Sequence, residues 1–274
     1  MLEPVAGSPD APPPAGRLEV GAIPSPLSGG AVSAALAPRM TRGRAVAETV
    51  LCSSYPTQVL AAAALAAAGV PAQRLDGGLN ATFVFAVSTL DAVMVVALIV
   101  FLLRRNRDSL GTVFFGDRPI WREAAFGMAM VPLVTLGVAG AVLATRTLMP
   151  SLHNVPVNPL TSFMADPAMA ILFALIVVVA GGVREEMQRA FQLHRLSHHV
   201  CPPLVALAVT SIAFGLGHTV QGRDVAFATL GLGMLWGAMY LRRGSLVAAA
   251  VSHGLFNLGQ VVIGWWAASH GLGS

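Results

Sequence analysis

Apolar segments without charged residues recur along this chain, and several are long enough to cross a lipid bilayer. Residues 168–183, for example, contain no charged side chain. A hydrocarbon core ~30 Å thick requires ~20 predominantly apolar residues in a helix. Segments of about this kind lie at 81–103, 124–144, 168 onward, 203–218, 225–241 and 246–268, and residues 45–69, broken near Tyr55-Pro56, supply a candidate seventh.

These segments restrict the fold to one class. In lipid every backbone N–H and C=O must be satisfied internally, so only helices and closed barrels span a bilayer. Barrel strands alternate apolar and polar residues, whereas the segments here are continuously apolar. Charged residues make up 11% of the chain, against about 25% in soluble domains. We therefore predict an all-α protein, a polytopic transmembrane helical bundle with six to eight membrane helices.

The N-terminal segment differs in composition from the rest of the chain. Residues 1–43 are rich in Pro, Gly, Ala and Ser, which predicts a disordered tail ahead of a membrane domain at 44–274. This tail lacks a basic region followed by an apolar core, so it does not resemble a secretory signal peptide. Cys52 and Cys201 lie far apart and fit neither a disulfide framework nor a metal pattern.

All 17 basic residues are arginines, and they concentrate in a few connections between apolar segments. Alternating crossings place the richest connections on one face, which the positive-inside rule makes cytoplasmic. We therefore expect a multi-pass protein of the cell membrane, the inner membrane in a bacterium. Because these arginines flank membrane segments, they do not indicate nucleic-acid binding. They are Arg104, Arg105, Arg107, Arg118, Arg122, Arg195, Arg242 and Arg243.

Polar residues interrupt the apolar helices at three places in the second half of the chain. Charged residues inside a membrane cost about 2.5–3.5 kcal/mol each and usually face a bundle interior or a wet cavity. Measured from the cytoplasmic helix ends, the three places lie ~16, ~23 and ~12 Å along their helices, and helix tilts of ~20° absorb the spread. We therefore predict one shared layer with the catalytic residues Glu185, Glu186, Arg189, His218, His253 and Asn257.

Helical spacing predicts how some of these side chains face. His253 and Asn257 are separated by four residues and share one stripe of a helix. Glu186 and Arg189 are separated by three residues and are also neighbours on a helix surface. Glu185 and Glu186 point about 100° apart. One glutamate can therefore face a cavity while the other holds Arg189 or a neighbouring helix.

Asp91 is another acidic residue inside an apolar segment. An ionisable side chain at membrane depth usually pairs with an opposite charge. Arg184 and Arg189, which flank the glutamates, are the candidate partners. We expect this pairing to be structural rather than catalytic.

Two chemistries remain open for the three polar places. A glutamate can take a proton from water while imidazole and carboxamide groups stabilise an oxyanion. Alternatively, Glu185, His218 and His253 can hold Zn²⁺, which lowers the pKa of a bound water. Both routes deliver water to a carbonyl carbon. Since no serine or cysteine stands out as a nucleophile beside these groups, covalent catalysis is less favoured.

The order of these motifs resembles the CPBP intramembrane proteases, which include CAAX proteases and bacteriocin-processing enzymes and are also called the Abi family. The resemblance covers residues 166–262, and the FxxxH and HxxxN motifs are complete. One motif departs from the family pattern, because EExxxR is shortened here to EExxR. The residues that carry the resemblance are Glu185, Glu186, Arg189, Phe214, His218, His253 and Asn257.

The resemblance implies an intramembrane endopeptidase, of the metallo- or glutamate type. Glu185 or Glu186 would activate the water, His218 and His253 would bind zinc or the oxyanion, and Asn257 would support the oxyanion. The implied substrates are membrane-embedded peptides or proteins and lipid-modified protein C-termini, with the bilayer as surroundings.

Two other functions compete with proteolysis. The first is a catalytically silent membrane protein that binds a partner, such as an immunity factor. The second is a proton-coupled transporter, in which buried acids and histidines would form the relay. The chain shows no inverted repeat or pair of interrupted helices of the kind that transporters use, so the transporter is the less favoured alternative.

Overall fold

The computed structural model describes residues 40–271. The predicted tail, residues 1–43, lies outside the described residues except for residues 40–43. Within the described part, the first helix begins at Arg42, after Thr41 accepts a hydrogen bond from the Arg44 amide.

The described residues form ten α-helices and no β-strand, which confirms the all-α prediction. The first five are α1 (Arg42–Leu51), α2 (Tyr55–Ala67), α3 (Ala81–Arg105), α4 (Leu110–Phe114) and α5 (Ile120–Leu148). The last five are α6 (Pro167–Ile176), α7 (Glu185–His199), α8 (Pro203–Leu216), α9 (Arg223–Arg243) and α10 (Val247–Ser269). Short 3-10 turns lie at Pro150–Leu152, Pro159–Met164 and Thr219–Gln221.

Six helical runs in the described residues are long and apolar enough to cross a membrane. They are Arg42–Ala67, Ala81–Arg105, Ile120–Leu148, Pro167–His199, Arg223–Arg243 and Val247–Ser269. The polytopic membrane bundle is thereby confirmed, and the segment proposed as a candidate seventh span is one of the six.

The predicted span at 203–218 is shorter than expected. Its helix, α8, has 14 residues and therefore rises ~21 Å, less than the ~30 Å hydrocarbon core. The helix ends at Leu216, and His218 already leads into the 3-10 turn at Thr219–Gln221. Gly222 follows with a φ of 120°, a backbone conformation that only glycine adopts readily.

The break near Tyr55-Pro56 is confirmed and falls at Cys52–Ser54. Ser54 has a φ of 67°, which is uncommon for a residue with a Cβ atom, and Pro56 lies in the first turn of α2. At this break the Ser54 hydroxyl donates a hydrogen bond to Gln188 Oε1 of α7 at 2.8 Å. The N-terminal helices therefore take part in the packing around the glutamates.

Ion pairs join the C-terminal part of α7 to α1 and to the connection after α3. The buried Arg195 guanidinium contacts Glu48 Oε2 at 2.8 Å and Asp108 Oδ2 at 2.6 Å. Partial burial raises the pKa of Asp108, but hydrogen bonds from His194 and Arg195 outweigh burial and hold that pKa below its ordinary value. This cluster joins α1, α7 and the connection after α3.

The run from Pro167 to His199 is continuous but not α-helical throughout. Residues Val177–Arg184 form a π-helix between α6 and α7, a rare feature that often marks functional sites. The sequence predicts only an apolar membrane helix from residue 168 onward. Its two glycines face α10, and a Cβ atom added to Gly182 would lie 2.6 Å from Gly254 Cα. The π segment therefore approaches α10 with backbone against backbone.

Candidate functional site

Glu186 lies at the centre of a buried charge cluster. Its side chain is 1% exposed, and Oε1 contacts both the Arg189 guanidinium and His253 Nδ1, the latter at 2.8 Å. The predicted proximity of Glu186 and Arg189 is therefore present despite the shortened EExxR spacing. Since a buried carboxylate is stable only when paired and hydrogen-bonded, Arg189 and His253 keep Glu186 in place.

His253 lies between the two glutamates. An ionised carboxylate only accepts hydrogen bonds, so Nδ1 donates its hydrogen to Glu186 Oε1. A neutral ring then carries its lone pair on Nε2, which faces Glu185 Oε2 at 3.8 Å. That distance is too long for a direct hydrogen bond, but one water molecule placed to the side of the two atoms can hydrogen-bond to both.

Glu185 differs from Glu186 in access and in partners. Its side chain is 18% exposed, and its recorded ionic neighbours are His253 Nε2 and Arg184 Nη2, each at 3.8 Å. Neither contact is short enough to occupy a carboxylate oxygen. Glu185 therefore keeps lone pairs available in a way that Glu186 does not.

Aromatic rings enclose the imidazole and the guanidinium. Trp236 from α9 stacks on His253 with a centroid distance of 3.8 Å and an interplanar angle of 15°. Phe214 meets His253 edge-on at 6.2 Å, and the Arg189 guanidinium lies 4.4 Å from the Phe214 centroid. Ser252 Oγ accepts a hydrogen bond from Trp236 Nε1 at 3.3 Å. These aromatic contacts cover the imidazole and the guanidinium and orient the imidazole ring.

The π segment supplies the other side of the site. Asn257 Nδ2 donates a hydrogen bond to the Val177 carbonyl at 3.2 Å, which fixes the carboxamide one turn beyond His253. A Cβ atom on Gly181 would lie 2.5 Å from Asn257 Nδ2 and 3.9 Å from His253 Nε2. The absence of a Cβ atom at Gly181 therefore lets the Asn257 amide pack directly against the π segment.

His218 lies at the edge of this group rather than within it. Its Nδ1 lies 2.8 Å from the Phe214 carbonyl, which can only accept, so Nδ1 donates. The His218 ring packs edge-on against the Phe214 ring at 4.8 Å. Among residues 40–271, no His218 nitrogen lies within 4.0 Å of a carboxylate oxygen. The Phe214 ring therefore contacts both imidazoles, His218 at 4.8 Å and His253 at 6.2 Å.

The residues present do not fit a zinc ion. Within the described part of the chain, no group of three His, Cys, Asp or Glu side chains is placed to hold a metal. The predicted set of Glu185, His218 and His253 lacks His218, and the Arg189 charge already lies against the neighbouring carboxylate. A structural or catalytic zinc site needs at least three protein ligands. The zinc expectation stays a prediction.

Asp91 pairs with Arg184, one of the two partners that the sequence suggested. Asp91 Oδ2 lies 3.2 Å from Arg184 Nη2, and both side chains are buried. Ser54 and Gln188 also contact this guanidinium. Sequence reasoning missed both of them, as well as Trp236, because uncharged side chains on apolar helices carry no pattern that marks them.

Residues 167–259 match the family model described as type II CAAX prenyl endopeptidase Rce1-like. The match begins with α6 and extends into α10, so it contains every predicted site residue. It confirms the resemblance to the CPBP and CAAX proteases and indicates a peptidase in a multi-pass membrane protein. Neither the curated proteins nor the solved structures gave a match to the chain.

Proposed function

We propose that this chain, with its Rce1-like CAAX protease domain at residues 167–259, is an intramembrane endopeptidase whose attacking water is activated by Glu185. The observation that supports this best is the position of His253, with Nδ1 on Glu186 and Nε2 facing Glu185 at 3.8 Å. A carboxylate and an imidazole nitrogen at this separation can share one water molecule.

The two glutamates take different roles in this proposal. Glu186 is engaged by Arg189 and His253 and is closed to solvent, so it orients His253 much as the buried aspartate of a catalytic triad orients its histidine. Glu185 is partly exposed and has free lone pairs, so it takes the proton. A general base must lie within hydrogen-bond or one-water reach of that proton.

The reaction then follows from the positions of the groups. Water attacks the carbonyl carbon of the scissile peptide, and Glu185 receives the proton that the water loses. The Asn257 carboxamide donates to the developing oxyanion, as preorganised donors do. Glu185 returns the proton to the departing amine when the C–N bond breaks. The free Nε2 of His218 is available to a substrate group at the edge of the site.

The substrates we propose are membrane-embedded peptides or lipid-modified protein C-termini. The site lies on α7 and α10, both within helical runs apolar enough to span a membrane, and aromatic side chains form its wall. A substrate must therefore reach it from the bilayer or from the bilayer surface. We propose the inner membrane of a bacterium as the location, with the arginine-rich connections in the cytoplasm.

Replacing Glu185 by glutamine tests the proposal. We expect cleavage of a membrane-peptide library by the purified full chain, and a loss of about 10²–10⁴-fold in the Glu185→Gln variant, the range that general-base catalysis contributes. Asp76→Asn, at an exposed pair with Arg74, is the matched control and should retain wild-type activity. Full activity in Glu185→Gln would refute the mechanism.

The same preparations test the zinc expectation. Metal content by mass spectrometry and cleavage after chelation are measured in parallel. Since the donor set does not fit zinc, we expect chelation to leave the rate unchanged. Stoichiometric zinc together with loss of activity on chelation would contradict this, and an intact protein that cleaves no peptide would favour the silent binding protein.

A further prediction concerns the close contact between Gly181 and the Asn257 amide. The methyl group of Gly181→Ala would displace the Asn257 amide from the Val177 carbonyl. Loss of one oxyanion donor costs about 10²–10³-fold in kcat, so we expect a fall of about tenfold or more for this displacement. Gly259→Ala on α10, whose added Cβ would meet nothing within 4 Å, should match the wild type. Equal rates in the two variants would remove Asn257 from the mechanism.

A further inference from the structure

We infer that Asp91 is a positioning residue for Glu185, because it holds the Arg184 guanidinium that would otherwise pair with that base. This inference rests on the proposed function of Glu185. Asp91 lies on α3, outside the residues that match the family model, and is fully buried.

The Arg184 guanidinium stands between two carboxylates. Its Nη2 atom lies 3.2 Å from Asp91 Oδ2 and 3.8 Å from Glu185 Oε1. Both contacts are ion pairs, but the one to Asp91 is 0.6 Å shorter, and 3.8 Å is too long for a hydrogen bond between the guanidinium and Glu185. Attraction between opposite charges is strong away from water, so the closer carboxylate decides where this cation points.

The other nitrogen of the guanidinium is fixed in the same direction. Nη1 donates to Ser54 Oγ at 2.9 Å and to Gln188 Oε1 at 3.0 Å. Ser54 itself donates to Gln188 at 2.8 Å. A planar guanidinium with both terminal nitrogens engaged has a defined plane, so Arg184 does not rotate freely towards Glu185.

Asp91 is held in turn by α2. Thr57 Oγ1 donates to Asp91 Oδ1, and Gln58 Nε2 donates to Asp91 Oδ2 at 3.4 Å. The start of α2, set by the left-handed Ser54, therefore orients the carboxylate that controls Arg184. Residues of α2 and α3, which lie outside residues 167–259, thus influence Glu185 through Asp91 and Arg184.

Removing the charge of Asp91 should leave Glu185 as the acid that attracts Arg184 Nη2, while Nη1 keeps its hydrogen bonds to Ser54 and Gln188. In Asp91→Asn the carboxylate nearest to Arg184 Nη2 is Glu185, and a base paired with a cation accepts a proton less readily. We expect kcat to fall about tenfold or more, with KM changed less than about twofold because substrate contacts are not altered.

The double variant Asp91→Asn/Arg184→Gln separates positioning from simple structural support. Because the double variant lacks the Arg184 guanidinium, that cation cannot pair with Glu185, and we expect most of the lost kcat to return. A purely structural pair would give a double variant no more active than Asp91→Asn. Asp76→Asn, which removes an exposed carboxylate, is the control for the loss of an acid elsewhere.

A second readout needs no substrate. Glu185 in the intact chain is labelled with a water-soluble carbodiimide and an amine, and the label is mapped by mass spectrometry. We expect severalfold less labelling in Asp91→Asn and a return towards wild type in the double variant. Unchanged labelling in Asp91→Asn would overturn the inference, with or without proteolysis.

The outcomes distinguish this inference from the proposed function. If Glu185→Gln is inactive while Asp91→Asn keeps the wild-type kcat, the role of Asp91 is refuted and the peptidase stands. If Glu185→Gln is fully active, the base itself is refuted. If kcat and labelling fall in Asp91→Asn and both recover in the double variant, Asp91 positions the base.

Discussion

Glu186→Ala is expected to destabilise the folded bundle by about 3–5 kcal/mol, the usual cost of removing one partner of a buried ion pair. The change leaves the Arg189 guanidinium, 4% exposed, without its carboxylate and deprives His253 Nδ1 of its acceptor. We therefore expect the largest loss of stability among the acidic site residues, together with loss of activity.

Unfolding of the purified protein in mixed micelles measures this effect. Glu185→Ala is the matched control, since it removes the adjacent carboxylate but breaks only ion pairs of 3.8 Å. We expect it to remain within about 1 kcal/mol of the wild type while losing activity. If Glu186→Ala is as stable as Glu185→Ala, the contacts of Glu186 with Arg189 and His253 do not stabilise the fold.

Gly182→Ala is expected to separate two helices that meet backbone to backbone. The new Cβ atom would lie 2.6 Å from Gly254 Cα and 2.9 Å from Gly254 N, and backbone atoms cannot rotate away as a flexible side chain can. Overpacking of this kind costs about 1–3 kcal/mol or more. His253 adjoins Gly254, so displacement of α10 also misplaces the imidazole, and errors of about 1 Å at a reacting centre can cost 10²-fold in rate.

Gly231→Ala provides the comparison for Gly182→Ala. Gly231 lies within α9, and a Cβ atom added there would meet nothing within 4 Å. Alanine is favoured over glycine inside a helix by about 0.5–1 kcal/mol, so this variant should be as stable as the wild type or slightly more stable. If Gly182→Ala behaves in the same way, the close approach of the π segment and α10 is not needed for the fold.

The sequence predicts the Glu186, Arg189 and Asn257 geometry because helical spacing is local. Glu186 and Arg189 are three residues apart, so their pairing follows from a single turn of α7. The EExxR motif is one residue shorter than EExxxR, and its separation of three residues places the arginine beside the second glutamate. Asn257 likewise follows His253 by one turn of α10.

The sequence could not predict contacts that depend on how separate helices pack. His218 was expected in the same layer as His253, and the sequence did not indicate that α8 ends at Leu216 or that the Phe214 ring contacts both imidazoles. The π-helix at Val177–Arg184 was also missed, because its residues are ordinary apolar residues and glycines. Trp236 stacks on His253 only because α9 packs beside α10.

The interaction between α2, α3 and Arg184 sets a lower limit on the size of any fragment worth expressing. A fragment restricted to 167–259 would keep Arg184 but discard Ser54 and Asp91. In such a fragment Arg184 would lose Asp91, and Glu185 would be the acid left within 4.0 Å of its guanidinium. Truncations intended for biochemistry should therefore retain everything from Arg42 onward, since residues 167–259 do not include Asp91, the nearest counter-ion of Arg184.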